Sequence, residues 1–376
     1  MSVKNNKGAI LITTLWIVTI LTALCVSAAH RSAIVLKLSS YQIDKIKSHL
    51  IANAGVQSAL AVKAAEYERG VSLTIDALSE PWASRPEIFN NHTFSDGVYT
   101  LAYSVPGEKN ILYGLTDESS RIDINKASPQ VLSRLIISCG VEEAQVEEIA
   151  YAIVDWRDED NSIGQNTESE LMLGAEDEYY QSLPQPYHCK NSSFEIPEEL
   201  LLVKGVTPGL FYGNKGKDGK ISAGLKDFVT VYTDGKLNIN TAPELILAAL
   251  FGIDFEQLPE KIAIFRRGSD EVIGTQDDRW FSTGAYIVER GEEGMVEVKN
   301  LSDGDWLGNT YGVTTQEYNK IKELMQAATG VKLVTSSNVY RALAQGEIRK
   351  VKTSIEAVYE FQQGKQAPVV KFWRQQ

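Results

Sequence analysis

Basic residues, cysteines and histidines are scarce in this chain of 376 residues. Its 37 lysines and arginines are outnumbered by 49 aspartates and glutamates, which gives a formal net charge of −12. Nucleic-acid binding depends on basic side chains that displace counterions from the phosphate backbone. The charge balance therefore argues against nucleic acid as a partner, and it is compatible with cation binding.

The three cysteines leave room for one disulfide. Cys25 lies in an apolar N-terminal segment, whereas Cys139 and Cys189 belong to the body of the chain. If that body is outside the cytoplasm, a disulfide between Cys139 and Cys189 would stabilise the fold by roughly 2–4 kcal/mol. A zinc site is less favoured, because the sequence has no CxxC pair and His188 stands alone beside Cys189.

Motifs of the common enzyme classes are missing. The four histidines form no HExxH, and the sequence has no GxSxG, Walker A or GxGxxG fingerprint. Asp155 and Asp158 could in principle do acid–base chemistry, but no recognisable substrate site accompanies them. We therefore predict that the chain is not an enzyme.

Proline is absent before Pro81, which permits a long N-terminal helix. Residues 8–29 carry no charge, and apolar residues continue beyond them at helical spacing. This pattern predicts one helix from Ala9 to about Tyr67. Residues 9–29 would cross about 30 Å of hydrocarbon, and the remainder would be amphipathic.

Lys4 and Lys7 precede the apolar segment, so the positive-inside rule keeps the N-terminus cytoplasmic and sends the body outside. A secretory signal cut near residues 27–29 is the main alternative, although it leaves the amphipathic continuation unexplained. A short basic leader that ends in Gly8 before such a helix resembles the type IV pilin and pseudopilin family. The resemblance implies cleavage by prepilin peptidase between Gly8 and Ala9, N-methylation of Ala9, and a single-pass inner-membrane protein with a periplasmic body.

The fifth residue of the expected mature chain indicates which member of the pilin and pseudopilin family the sequence resembles. Pilins usually have Glu there, where it balances the free N-terminal amine, but this sequence has Thr13. Within the family, the large minor pseudopilin K of type II secretion characteristically lacks that Glu. A carboxylate inside a bilayer is costly and is kept only for a function, so its absence is informative.

The body of the chain predicts an α+β fold. Residues 97–105 and 111–116 alternate like an antiparallel hairpin, and strands are expected at 333–344, 348–361 and 369–373. We expect a pseudopilin fold, in which the N-terminal helix packs on a small antiparallel sheet, interrupted by a large, mainly α-helical insert. The predicted divisions are a leader at 1–8, a helix at 9–67, a pseudopilin domain at 68–120 and 331–376, and an insert at 121–330.

The insert contains a weak internal repeat. Residues 121–129 (RIDINKASP) resemble residues 236–243 (KLNINTAP), and each begins an apolar helix after a cap and a proline. Gly140, Gly205 and Gly252 are predicted to end helices in the left-handed conformation. The pattern resembles helix-hairpin-helix modules. Glu142, Thr207 and Asp254 replace the second glycine that DNA-binding hairpins need, so we interpret the hairpins as scaffold.

An acidic run follows the first hairpin. Asp155, Asp158 and Asp160 lie where an apolar helix gives way to a loop, and Glu176 and Asp177 follow in a second acidic run. Closely spaced carboxylates suit the oxygen coordination of Ca²⁺, although the spacing is not that of an EF-hand. The simpler alternative is a solvated helix end. The sequence thus offers calcium as the candidate cofactor.

The motifs DWRDxD from Asp155, GAEDEYY from Gly174 and EELxxVxG from Glu198 resemble the inserted domain of the pseudopilin K family. Residues 266–310 match that family less well. The resemblance implies a minor pseudopilin at the tip of the pseudopilus that initiates assembly and helps export folded periplasmic proteins. Its implied partners are the minor pseudopilins I and J, the major pseudopilin, prepilin peptidase and the inner membrane. The alternative is a membrane-anchored calcium- or partner-binding module outside any secretion machine.

Overall fold

The structure is a computed structural model that describes residues 7–68, 75–166, 171–214, 223–282, 286–290, 296–300, 312–362, 365 and 367–376. Most of the predicted leader, residues 1–6, lies outside the described residues. So do residues 283–285, 291–295 and 301–310 of the stretch that matches the family less well.

The chain begins with a long helix, continues through short strands into a mainly helical middle, and ends in long strands. The helices are α1 (Lys7–Glu68), α2 (Pro86–Phe89), α3 (Pro129–Ser138), α4 (Glu143–Arg157), α5 (Asp177–Gln181), α6 (Pro208–Tyr212), α7 (Leu225–Phe228), α8 (Glu244–Phe251), α9 (Leu258–Arg266) and α10 (Thr315–Met325). The strands are β1 (His92–Phe94), β2 (Gly97–Leu101), β3 (Tyr103–Ser104), β4 (Ile111–Leu112), β5 (Thr116–Asp117), β6 (Ile122–Asp123), β7 (Val229–Thr230), β8 (Lys236–Asn238), β9 (Trp280–Ser282), β10 (Tyr286–Arg290), β11 (Val296–Asn300), β12 (Lys332–Val334), β13 (Val339–Ile348), β14 (Val351–Glu360) and β15 (Val369–Gln375).

The first helix has an exposed half and a packed half. Side chains from Ala9 to Ile43 are exposed, whereas Ile51, Ala52 and Val56 are buried against a sheet. The helix approaches this sheet closely, because a Cβ on Gly346 would lie only 2.0 Å from the carbonyl oxygen of Ser48. The packed half therefore belongs to the body of the protein, and the exposed half extends away from it.

That sheet has the order β1-β2-β13-β14-β15, and β5 also pairs with β13. The strand pairs are antiparallel, as the pseudopilin fold requires. The predicted hairpin of residues 97–105 and 111–116 is confirmed only at Tyr103–Ser104 and Ile111–Leu112. It was wrong for β2, which pairs with β1 and β13 because its inward side chains Tyr99 and Leu101 pack beneath α1.

The insert contains two copies of one structural unit, which have the same order of elements and the same side-chain hydrogen bonds. In the first copy, strand β6 leads to the helix pair α3–α4; in the second, β8 leads to α8–α9. The side chain of Asn125 binds both backbone groups of Phe194, at 2.8 and 3.0 Å. Asn240 does the same to Phe281, at 2.7 and 2.9 Å.

An arginine at the end of the second helix completes each unit. Arg157 donates to the carbonyl oxygens of Ile124 and Ala127, and Arg266 donates to those of Ile239 and Ala242. These carbonyls occupy equivalent positions before the first helix of each pair. The guanidinium groups therefore tie the exit of each helical hairpin to its entrance.

The two largest hydrophobic clusters of the described residues divide the body. One contains α1 and the large sheet, and the other runs from Ile122 to Leu333. Leu333 pairs with Leu237 of the insert in a parallel register. The strand expected at 333–344 is therefore two strands, and the insert core extends three residues beyond the expected end at 330.

Candidate functional site

One buried carboxylate positions the acidic loop, which here means the described residues 158–166 and 171–176 between α4 and α5. Asp155 lies in the last turn of α4 and is fully buried. Its Oδ1 accepts a hydrogen bond from the N–H of Gly164 at 3.1 Å, and its Oδ2 accepts one from the N–H of Ala175 at 2.9 Å. Asp155 therefore fastens two points of the following segment to the helix.

A glycine permits this close approach. Gly174 has a φ of +107°, and a Cβ added there would lie 2.2 Å from Asp155 Oδ2. A side chain at this position would both strain the backbone and displace the carboxylate. The glycine of the GAEDEYY motif thus serves the geometry of the acidic loop.

Three further carboxylates converge beside Asp155. Asp158 caps α4, Asp160 follows in the loop and Glu176 precedes α5, and their ligand oxygens lie within 4.8 Å of one another. Glu176 is only 4% exposed, and neither of its carboxylate oxygens has a hydrogen-bond partner. A buried carboxylate without donors is costly, whereas hard cations bind several such oxygens. The geometry of the three carboxylates fits a divalent cation.

The electrostatics of the cluster favour added positive charge. Burial, together with the nearby Asp155, Asp158 and Asp160, raises the pKa of Glu176 to about 7. Burial also raises the pKa of Asp155 to about 6, against the opposing effect of its two backbone donors. The pKa of Asp158 is raised by burial and by the charge of Asp160. Ionising these neighbouring carboxylates therefore costs free energy, and a bound cation would offset that cost.

The structure separates the predicted ligand residues into three groups. Asp158, Asp160 and Glu176 form the cluster, and Asp155 positions the loop beside it. The side chain of Asp177 is not part of the cluster. Its Oδ1 accepts a hydrogen bond from the N–H of Cys189 at 2.9 Å and lies 3.1 Å from Nδ1 of His188. Adjacent residues at a helix N-terminus project in different directions, so the pair Glu176-Asp177 cannot contribute two ligands from one side.

Sequence reasoning missed Asn191. Its Nδ2 donates to the carbonyl oxygen of Asp160 at 2.9 Å and to Oδ1 of Asn161 at 2.8 Å. Its own Oδ1 is buried and has no hydrogen-bond partner. Asn191 therefore braces the acidic loop from a segment 30 residues away, and no spacing in the sequence links the two segments.

Both body cysteines are free thiols in the structure. Cys139 caps the end of α3, and Cys189 is buried with its Sγ 3.8 Å from the carbonyl oxygen of Asp155. Burial raises the pKa of the Cys139 thiol to about 12 and that of the Cys189 thiol to about 11. A disulfide between them stays a prediction.

The N-terminal segment forms the candidate membrane anchor. From Ala9 to Glu66, α1 includes an 18-residue window with a mean hydropathy of 2.4, none of it buried. By length and composition this helix could cross a membrane. Gly8 and Ala9 lie in its first turn, and the hydroxyl of Thr13 donates to the carbonyl oxygen of Ile10 at 2.9 Å. Thr13 thus satisfies its polar atom within the helix, which suits a lipid environment.

The chain is similar to known proteins of the type II secretion system. The model of the family "Type II secretion system (T2SS), protein K" matches residues 110–212, which include the acidic loop. A type II secretion system protein K from Pseudomonas aeruginosa is 28% identical over 264 residues, which are 67% of this chain and 70% of that protein. The protein K of Klebsiella pneumoniae is 25% identical over 66% of this chain and 71% of its own length.

These matches are to type II secretion protein K, and the chain is similar to that family over the residues they cover. A chain of the crystal structure of the GspK-GspI-GspJ complex from enterotoxigenic Escherichia coli matches with a TM-score of 0.57 and 17% identity, over 90% of this chain and 99% of that chain. At this identity the likeness shows the fold, an N-terminal helix on a small antiparallel sheet with a helical insert.

Proposed function

We propose that this protein completes the tip of the pseudopilus, where it initiates assembly and helps export folded periplasmic proteins across the outer membrane. The observation that carries the proposal is the combination of a pseudopilin body with a bulky duplicated insert. A fibre packs its subunits closely through their N-terminal helices. A mass as large as the insert would be hard to repeat along that fibre, but it can be accommodated once at an end.

Minor pseudopilins of types I and J are the proposed partners. The support is the fold likeness to a chain from a complex whose title names GspK, GspI and GspJ. The direct test is to isolate the full-length chain in detergent from cells of its own secretion system and to identify the proteins that co-purify. We expect I- and J-type pseudopilins in amounts equal to the chain. Isolation of the intact chain without either of them would overturn the proposal.

We further propose that prepilin peptidase cuts between Gly8 and Ala9, and that Ala9 becomes N-methylated. Residues 9–29 then anchor the body in the inner membrane with residues 30–376 in the periplasm. The support is the short basic leader before an exposed apolar helix. A Gly8→Leu variant should keep its leader, whereas a Lys7→Ala variant should be shortened by eight residues like the wild type. Identical masses for Gly8→Leu and wild type would contradict the cleavage site.

A calcium ion is the proposed cofactor, held by Asp158, Asp160 and Glu176. The support is the buried Glu176 carboxylate, which faces two other carboxylates and has no hydrogen-bond donor. The ion would join the end of α4 to the start of α5 and so stiffen the insert; no catalytic step is involved. Addition of calcium should raise the melting temperature of the wild type but not that of an Asp160→Asn, Glu176→Gln variant.

A further inference from the structure

The outer edge of β15 is open among the described residues. β15 is the last strand in the order of the large sheet and pairs with β14 alone. Gln376 and Ser354 exchange both backbone hydrogen bonds, at 2.9 and 3.0 Å. Hydrogen-bonded pairs alternate along an antiparallel ladder, so Arg374 and Phe372 also face β14. The backbone N–H and C=O groups of Trp373 and Gln375 therefore point away from the sheet.

One face of this edge strand is apolar and uncovered. Trp373 lies opposite Ala357 and Val370 lies opposite Tyr359, so both side chains are on the face that packs against α1. The helix lies over β2, β13 and β14 and leaves β15 beside it. Trp373 is accordingly 42% exposed and Val370 52% exposed. The opposite face is occupied, because Arg374 pairs there with Glu198 of the insert at 2.9 Å.

Charge is segregated along the chain in a way that bears on this edge. Residues 121–330 have 19 basic and 36 acidic side chains, whereas residues 331–376 have eight basic and three acidic ones. The end of β15 lies beside the β13–β14 turn, where Arg349, Lys350 and Lys352 are exposed. Arg349 already pairs with Asp44, Lys352 with Glu347 and Lys371 with Glu360. Residues 331–376 nevertheless keep an excess of five basic side chains (eight minus three), which suits an acidic partner strand.

A second copy of the chain does not suit the edge. The register shifts between Val358 and Tyr359, which leaves Lys371 as the extra residue of a β-bulge. Lysines and bulges on edge strands oppose pairing between identical edges. Two copies of β15 would bring the net positive charge of residues 331–376 against itself, whereas a strand with acidic side chains would find complementary charge.

We propose that β15 binds an acidic edge strand of a partner pseudopilin, which extends the large sheet past Trp373 and packs on Trp373 and Val370 beside α1. The inference rests on the proposed function, because its occupant is one of the I- and J-type subunits. β-Strand addition supplies main-chain hydrogen bonds for affinity, and the exposed side chains supply specificity. The partner's own sheet would then be continuous with this one.

The test uses the full-length chain in detergent micelles, titrated with purified I- and J-type pseudopilins of the same secretion system. Trp373→Ala should weaken binding by at least about tenfold, as expected for a buried aromatic anchor. Leu343→Ala is the matched control, because Leu343 is 46% exposed on the other face of the same sheet, and it should bind like the wild type. Unchanged melting curves show that each variant is folded.

A second pair of variants tests the backbone contact itself. Gln375→Pro removes an outward N–H without breaking a bond to β14, and we expect weaker binding than for Gln375→Ala. Binding by the wild type should also weaken at high salt, because the proposed contact is between opposite charges.

If the wild type binds both subunits and the Trp373→Ala and Gln375→Pro variants bind equally well, the β15 interface is wrong while the tip function stands. If affinity is independent of salt, the proposed acidic character of the partner strand is wrong. If the wild type binds neither subunit, the proposed function and this interface fail together.

Discussion

Asn125 and Asn240 are equivalent residues in two copies of one structural unit, and each clamps both backbone groups of a phenylalanine far along the chain. The clamp joins the strand that opens each unit to the segment that closes it. Phe194 and Phe281 are both buried in the core of the insert. The duplication therefore explains how one long insert forms a single core around two helical hairpins.

Removal of either clamp should destabilise the protein. Asn240→Ala leaves the buried N–H and C=O of Phe281 without their partner, and unsatisfied buried polar groups cost about 1–3 kcal/mol each. Asn125→Ala should have a smaller effect, because Asn125 is half-buried. Asn319→Ala changes an exposed position on α10 and serves as the control. Chemical denaturation of the three variants measures the differences, and equal stabilities would contradict the clamp's role.

The buried Lys63 should be essential for the contact between α1 and the body. Lys63 is fully buried, forms an ion pair with Asp76 and lies 4.9 Å from the centre of the Trp82 ring. Asp76 in turn accepts from the backbone N–H of Ser337 at 2.6 Å. Lys63→Ala leaves a buried carboxylate without its cation, which costs about 3–5 kcal/mol.

Lys45→Ala removes an exposed lysine of the same helix and should leave the free energy of unfolding almost unchanged. Thermal unfolding of the two variants compares them directly. A Lys63→Ala protein as stable as Lys45→Ala would show that the buried ion pair does not stabilise the docking of α1.

Calcium binding should depend on pH through Glu176. Its pKa is raised to about 7, so below that pH a proton competes with the ion. Without calcium, the raised pKa means that ionisation of Glu176 destabilises the fold, and this cost grows as the pH rises from the ordinary glutamate pKa of 4.5 to about 7. With calcium the ionised form is the one that binds.

The rise in melting temperature on addition of calcium should therefore be larger above pH 7 than below it. Glu176→Gln should bind calcium weakly and without this pH dependence, and it should be no less stable than the wild type when calcium is absent. A calcium effect of the same size on both sides of pH 7 would rule out Glu176 as a ligand that titrates in this range.

Thr13 should tolerate an apolar residue but not a charged one. Its hydroxyl already bonds to Ile10 within the helix, so Thr13→Val loses little. If residues 9–29 cross the membrane and the chain is at the tip, as proposed, Thr13→Glu places a carboxylate in the bilayer with no earlier subunit whose amine could pair with it. Secretion of a marker protein should persist with Thr13→Val and fall with Thr13→Glu. Full secretion with Thr13→Glu would contradict the interpretation of Thr13.

The sequence predicts features that depend on local chemistry. The absence of proline before Pro81 predicted the long helix. Gly140, Gly205 and Gly252 all have the expected positive φ, but only Gly140 and Gly252 end a helix; the short helix before Gly205 already ends at Leu202. The acidic run also predicted three residues that meet in space. Each of these signals lies within a few residues of the feature that it specifies.

Features that depend on distant contacts were not predictable from spacing. Asn191 braces Asp160 from the next segment, and Leu333 pairs with Leu237 nearly a hundred residues away. Asp177 was predicted as a ligand because it follows Glu176, but its carboxylate accepts a hydrogen bond from the backbone N–H of Cys189. These contacts form only when segments distant in sequence pack together, so a local sequence pattern does not predict them.

The most direct test of the account is the number of copies of this chain in isolated pseudopili of different lengths. A tip subunit is present in a fixed number per fibre, so the ratio of this chain to the major pseudopilin should fall in inverse proportion to fibre length. Quantitative mass spectrometry of length-fractionated fibres measures that ratio. A ratio that stays constant as the fibres lengthen would place the chain along the shaft and contradict the account.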